Sequence, residues 1–323
     1  MNILVFKKLH ADGLLDDPCL QKIKSAPKNN NFSLHWEIKT ILYVGILLLT
    51  SGIGLLVYKN IESIGHLAIL LFIASIFVGC FYYCFKNKLP FSLQKVASPN
   101  LYFDYILLLG TLSFLIFLGY LQFKYSVFGT RFGLATFIPM VVLFFIAYYA
   151  DQLSILSIAI TNLAAWVGVA ITPLNILRNN DFNSDHLIIS ALLLGGVLMA
   201  AGMITERKNI KAHFEFTYTN FGAHIFYIAC IAAMFNFGIP SVVWLVLIAG
   251  ISYLFYLKAL KEKSFYFLLI LTLYLYFGLN VVIIKLMLYS SLDSIPLALI
   301  YLISSAIGLV VLLLNMNKKI KSL

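Results

Sequence analysis

Ten apolar stretches, each about twenty residues long and separated by short polar gaps, constrain this chain more than any other feature. They cover about 38–58, 65–85, 101–123, 132–150, 153–172, 187–204, 217–236, 241–258, 265–286 and 294–315. A helix rises 1.5 Å per residue, so about 20 residues cross a hydrocarbon core about 30 Å thick. Lipid offers no partner for an open backbone group, which makes each run a helix. Composition leaves no soluble alternative. Only 11% of residues are charged and 62% are hydrophobic, against about 25% charged in soluble domains. The sequence therefore predicts an all-α, polytopic membrane bundle of about ten transmembrane helices.

The gaps hold turn chemistry. Lys59 and Glu62 cannot stay in hydrocarbon and Asn60 suits a helix end, so 58–63 reads as the tip of a tight hairpin. Longer gaps carry Pro90 and Pro99, or a run of asparagines after Pro173. The first thirty residues are polar and lack the apolar core of a cleavable signal, so the first span is expected to serve as the insertion signal. Ten spans place 18 of the 23 Lys and Arg on the side of the N-terminus and leave Lys59, Lys124, Arg131, Arg178 and Lys285 opposite. Positive charge collects on the cytoplasmic side, so both termini are expected in the cytoplasm. The formal net charge of +10 is the product of that bias, with some attraction to anionic headgroups. No basic stripe is interleaved with stacking aromatics, so nucleic acid is not an expected partner.

Residues 1–31 read as a short cytoplasmic lead-in of two small helices and a linker, with 32–323 as the transmembrane domain. Asp17 and Pro18 suit the start of the second helix. Thirty residues cannot build a stable core of their own, so the lead-in is expected to dock, with a protein partner as the natural target. Trp36 stands where an interfacial aromatic anchors the first span.

From Trp36 to Leu70, Trp36, Gly45, Gly52, Gly54 and Asn60 follow one pattern: a tryptophan, a glycine-dotted span and an asparagine at the hairpin tip. This resembles the bacterial family known as domain of unknown function 2157. Ile61 departs from the Asn-Trp that the family often has at the tip. The Gly-Leu-Leu lead-in at 13–15 and the stretch 144–168 are similar to further family segments, the latter an Asp151-tipped hairpin before Ala164-Ala165-Trp166. The resemblance covers roughly 5–172, with 32–172 its membrane part. It implies a multi-pass protein of the bacterial cytoplasmic membrane and transfers no catalytic residue.

Of thirteen acidic residues only Asp104 lies inside an apolar run. An intramembrane carboxylate suggests ion or proton coupling, but Asp104 is about four residues from the edge, which also suits a helix-start role. Asp151 sits between two spans and is expected to cap the fifth. Asn162, Asn220 and His224 are read as deeper polar groups, the last two four apart and so on one helix face. They suit a ligand site or interhelical hydrogen bonding. Lys285 reads as a snorkelling side chain. Four scattered cysteines make neither a disulfide framework nor a metal site, and no cofactor motif is present. Gly45, Gly52 and Gly54, with small-residue pairs such as Ala191/Gly195 and Ser304/Gly308, predict close helix packing.

Two functions follow. One is a non-catalytic membrane protein that binds a partner or senses the bilayer. The other is a small-solute carrier with a polar site at mid-membrane, although its halves show no inverted match, and the faint echo of 138–145 in 239–246 joins hairpins that run the same way. An enzyme acting on lipid-linked substrates would want acidic or histidine groups on sizeable outer loops, and the gaps there are short.

Overall fold

The computed structural model describes residues 16, 34–59, 65–100, 102–129, 131–171, 184–238, 240–289 and 294–322. It contains ten long helices: α1 (Leu34–Lys59), α2 (His66–Asn87), α3 (Phe103–Tyr125), α4 (Phe132–Ala150), α5 (Leu153–Ile171), α6 (Asp185–Lys208), α7 (Glu215–Asn236), α8 (Ser241–Glu262), α9 (Phe265–Tyr289) and α10 (Ser294–Ser322). A single 3-10 turn, Ala212–Phe214, leads into α7. No strand occurs among the described residues. All ten helices are long and apolar enough to cross a membrane, as the hydrophobic runs require. The chain divides into two units within α1, after Leu49, and the larger unit, Thr50–Leu323, holds the cores and clusters that position the site.

Two apolar cores share the α6–α7 pair. The first gathers α2 to α5, with Leu143, Leu156, Ala159 and Ile160 wholly buried. The second gathers α7, α8 and α9 around Tyr227, Ala233 and Ile248. Outward faces carry exposed leucine, isoleucine, valine and phenylalanine throughout, as lipid-facing surfaces must. None of the apolar stretch of α10 is buried.

Glycine sets the closest approach. A Cβ at Gly195 on α6 would lie 2.8 Å from the Gly222 carbonyl oxygen on α7, and one at Gly222 would lie 2.8 Å from the Gly195 oxygen. Further along the same pair, a Cβ at Gly202 would lie 2.5 Å from Thr219 Oγ1. The two backbones nearly touch, which only missing side chains permit. The expectation for Gly195 holds. At Gly45, Gly52 and Gly54 an added Cβ meets nothing within 4 Å among the described residues, and the same is true of Gly196 and Gly308. Glycine spacing identifies helices able to approach closely, and a neighbour must still be there.

Contacts between elements sort the connections into two ends. Lys211 N–H donates to the Leu93 carbonyl at 2.7 Å, and the Lys258 ammonium pairs with Glu215, bringing the α2–α3, α6–α7 and α8–α9 turns to one end. At the other end His66 on α2 hydrogen-bonds Tyr120 on α3 at 2.6 Å. There the Lys285 ammonium from α9 donates to the Met234 carbonyl and to Ser241 Oγ. The snorkelling role read for Lys285 takes a defined form: it satisfies an end carbonyl of α7.

Candidate functional site

The densest polar cluster lies where three turns meet: the 88–100 loop, the α4–α5 turn and the α6–α7 turn. Its centre is Asp151. The residue ends α4 in the left-handed conformation (φ 59°), its N–H donating to the Ala147 carbonyl. Aspartate tolerates that backbone better than most residues and brings a carboxylate with it. The side chain is only 2% exposed and accepts from three donors. Lys211 Nζ stands 3.1 Å away, His213 Nε2 2.6 Å away, and the Val96 N–H also donates.

Lys211 is itself left-handed (φ 49°) and 1% exposed. Its ammonium lies 3.4 Å from the Gln94 carbonyl and faces the Phe91 ring, so both its backbone and its side chain hold the 88–100 loop. An unpaired lysine would not tolerate such burial; the carboxylate and carbonyl make it possible. His213 adds an edge-on contact with the buried Phe214 ring.

Asp104 belongs to the neighbouring part of the same cluster. Its carboxylate accepts from Ser98 Oγ at 2.5 Å and from the Gln152 amide. Gln152 is buried, and its own carbonyl receives the Leu156 N–H at the start of α5. The expected role of Asp151 is thereby corrected. Gln152 begins the fifth span, while Asp151 ends the fourth and turns its carboxylate to other elements. The start of α3 is capped by Asn100, whose Oδ1 accepts from the Tyr102 and Phe103 N–H groups at 3.1 and 2.9 Å. Asp104, the second residue of that helix, ties the loop to the α4–α5 turn through these two contacts.

The other sequence candidates stand apart. Asn220 accepts from Tyr266 Oη at 2.8 Å, and Tyr266 is the second residue of α9. Asn220 thus lies near the end of the bundle and not at mid-depth. His224 is deep, ten residues into α7, and hydrogen-bonds Tyr274 Oη at 2.8 Å. Asn220 and His224 do share a face, since both meet tyrosines of α9. Tyr274 stacks on Tyr227 at 4.6 Å, and Tyr227 Oη meets Ser252 Oγ at 3.1 Å. Sequence reasoning missed this tyrosine–serine chain, because each member reads alone as ordinary core. Asn162 donates to the Ile158 carbonyl of its own helix at 3.5 Å. Trp166 packs on Phe137 of α4 at 5.4 Å. Asn60 and, apart from Asp16, the lead-in lie outside the described residues.

Neither of two small recesses in the bundle is lined by Asn162, Asn220 or His224; both adjoin Lys88, Phe103, Tyr149 and Ala150. Among the described residues no three His, Cys, Asp or Glu side chains gather as a metal site. Chemically, the Asp151 cluster neutralises and fastens: every strong acceptor named in it faces a donor from the same chain.

Ten lipid-facing helices tied by buried polar turns define a multi-pass helical membrane protein. Within that class, residues 7–156 match the family described as “Predicted membrane protein (DUF2157)”, a little under half of the chain. The match takes in most of the lead-in and stops inside α5, short of Trp166. No curated protein and no solved structure matches the chain.

Proposed function

We propose that the protein is a non-catalytic multi-pass protein of the bacterial cytoplasmic membrane, both termini cytoplasmic, that acts by binding a partner through its lead-in or by responding to the bilayer. The observation that carries this reading is the Asp151 cluster. The two carboxylates with the strongest claim to chemistry, Asp151 and Asp104, are occupied by donors of their own chain and act as fasteners. The family match supports a role for the lead-in, since it runs from residue 7 through the first spans without a break. A photo-crosslinking amino acid placed at Leu14 in living cells is expected to give discrete adducts heavier than the protein. Recovery of uncrosslinked protein alone would contradict docking through the lead-in.

The carrier is the second reading, and the His224–Tyr274–Tyr227–Ser252 chain is what favours it. Hydrogen-bonded polar groups at mid-depth on facing helices are the material of a transport site. A solute that thermally stabilises the purified protein, with the effect lost in His224→Leu at unchanged folded yield, would put this reading first.

A further inference from the structure

The 88–100 loop leaves three large apolar side chains uncovered outside the spans: Leu89, Phe91 and Leu93 are 43%, 51% and 53% exposed. The loop is not free to fold them back. Lys211 N–H donates to the Leu93 carbonyl, the Lys211 ammonium lies 3.4 Å from the Gln94 carbonyl, and the Gln94 amide reaches the Asn209 carbonyl at 3.3 Å. On the return of the loop the Val96 N–H donates to Asp151. These ties hold the loop against the α4–α5 and α6–α7 turns, so the exposure of the trio belongs to the fold.

The lipid-facing surface of the bundle leads directly to them. Phe85 of α2 and Phe145 of α4 are both exposed, and both meet the Tyr149 ring. Lys88, one residue past the end of α2, sets its ammonium 3.5 Å from the centroid of that same ring, and Leu89 and Pro90 line a small recess with Tyr149. The apolar outer faces of α2 and α4 thus continue into the loop at the level where α2 ends. Charge is the second, independent feature. Lys86 and Lys95 are exposed on either side of the trio, and no acidic residue occurs from 86 to 100. Apolar side chains set between lysines at the end of a span suit an anionic headgroup layer.

We propose that the 86–95 segment is an interfacial anchor: Leu89, Phe91 and Leu93 enter the leaflet at that end of the bundle, and Lys86 and Lys95 lie against its anionic phosphates. The bilayer is the apolar phase already present at that height, and it meets both demands of the segment at once. The trio leaves water, and the lysines gain charge-assisted partners. The anchor rests on the bilayer-responsive side of the function proposed above and gives it a point of contact, the loop that the Asp151 cluster fastens. It is independent of what the lead-in binds.

The test is tryptophan fluorescence of the full chain carrying Phe91→Trp, in nanodiscs of phosphatidylglycerol or phosphatidylcholine with the upper acyl chain brominated or plain. The parent protein supplies the signal of Trp36, Trp166 and Trp244 to subtract. The added tryptophan is expected to lose most of its emission to brominated lipid and little to aqueous acrylamide. Bromine quenching should be stronger in phosphatidylglycerol, and Lys86→Gln with Lys95→Gln should abolish that difference. Quenching by acrylamide and not by bromine would overturn the anchor and leave the trio as a surface for a protein partner. Quenching by neither would overturn it too, as would bromine quenching that is equal in the two lipids. Should Phe91→Trp fail to fold, Leu93→Trp carries the same outcomes. A negative result leaves adducts from Leu14 unexplained by the anchor and intact, so the two readings fail separately.

Discussion

At the scale of single residues, charge burial is the feature with the largest consequence. Asp151 and Lys211 are both almost wholly hidden, and removing one member of such a pair strands the other. Asn keeps the left-handed backbone that position 151 requires, so Asp151→Asn removes the charge and little else. The expected loss is about 3 kcal/mol, seen as a lower melting temperature in detergent. Adding Lys211→Met should recover part of that loss, since the stranded ammonium disappears. A single variant that melts like wild type would show that the pair does not fasten the loop. Asp104 and Asp151 were legible in the sequence because carboxylates at span edges are rare. Their partners were not. Lys211 and His213 lie about sixty residues from Asp151 and look like ordinary basic residues of an interfacial turn. Nothing local says that they fold inward.

Between helices, small residues decide how near two spans can come, and here pattern and structure part. Gly195, Gly202 and Gly222 hold α6 and α7 at near-contact distance, whereas Gly52 and Gly54 face open space among the described residues. Gly222→Leu is therefore expected to lower folded yield severely, because a side chain there meets the Gly195 carbonyl and Met199. Gly52→Leu should be tolerated, costing little in yield by size-exclusion profile. Equal losses would mean that the first span has a neighbour in the membrane. The spans themselves were legible to within a few residues at most ends, since the length of an apolar run is set by the bilayer and not by tertiary context. The glycine contacts were not, because the same spacing serves a packed face and a lipid-facing one. Pro139 and Pro240 make a related point. They occupy matching places in a sequence echo, yet one is buried inside α4 and the other precedes α8. A shared dipeptide implies no shared geometry.

Over the whole molecule, alternation of the spans orders the connections. Ten crossings put the 88–100 loop, the α4–α5 turn, the α6–α7 turn, the α8–α9 turn and the C-terminus on one side. Lys211 on Leu93, Asp151 on Val96 and Lys258 on Glu215 bring members of that set together. In the orientation proposed above from the charge bias, that side is the cytoplasm. Compartment-sensitive reporters fused after Gly129, Lys263 and Leu323 test this most directly. The expected result is a cytoplasmic signal at Lys263 and Leu323 and an external signal at Gly129. An external signal at Leu323 together with a cytoplasmic one at Lys263 would contradict the ten-span bundle.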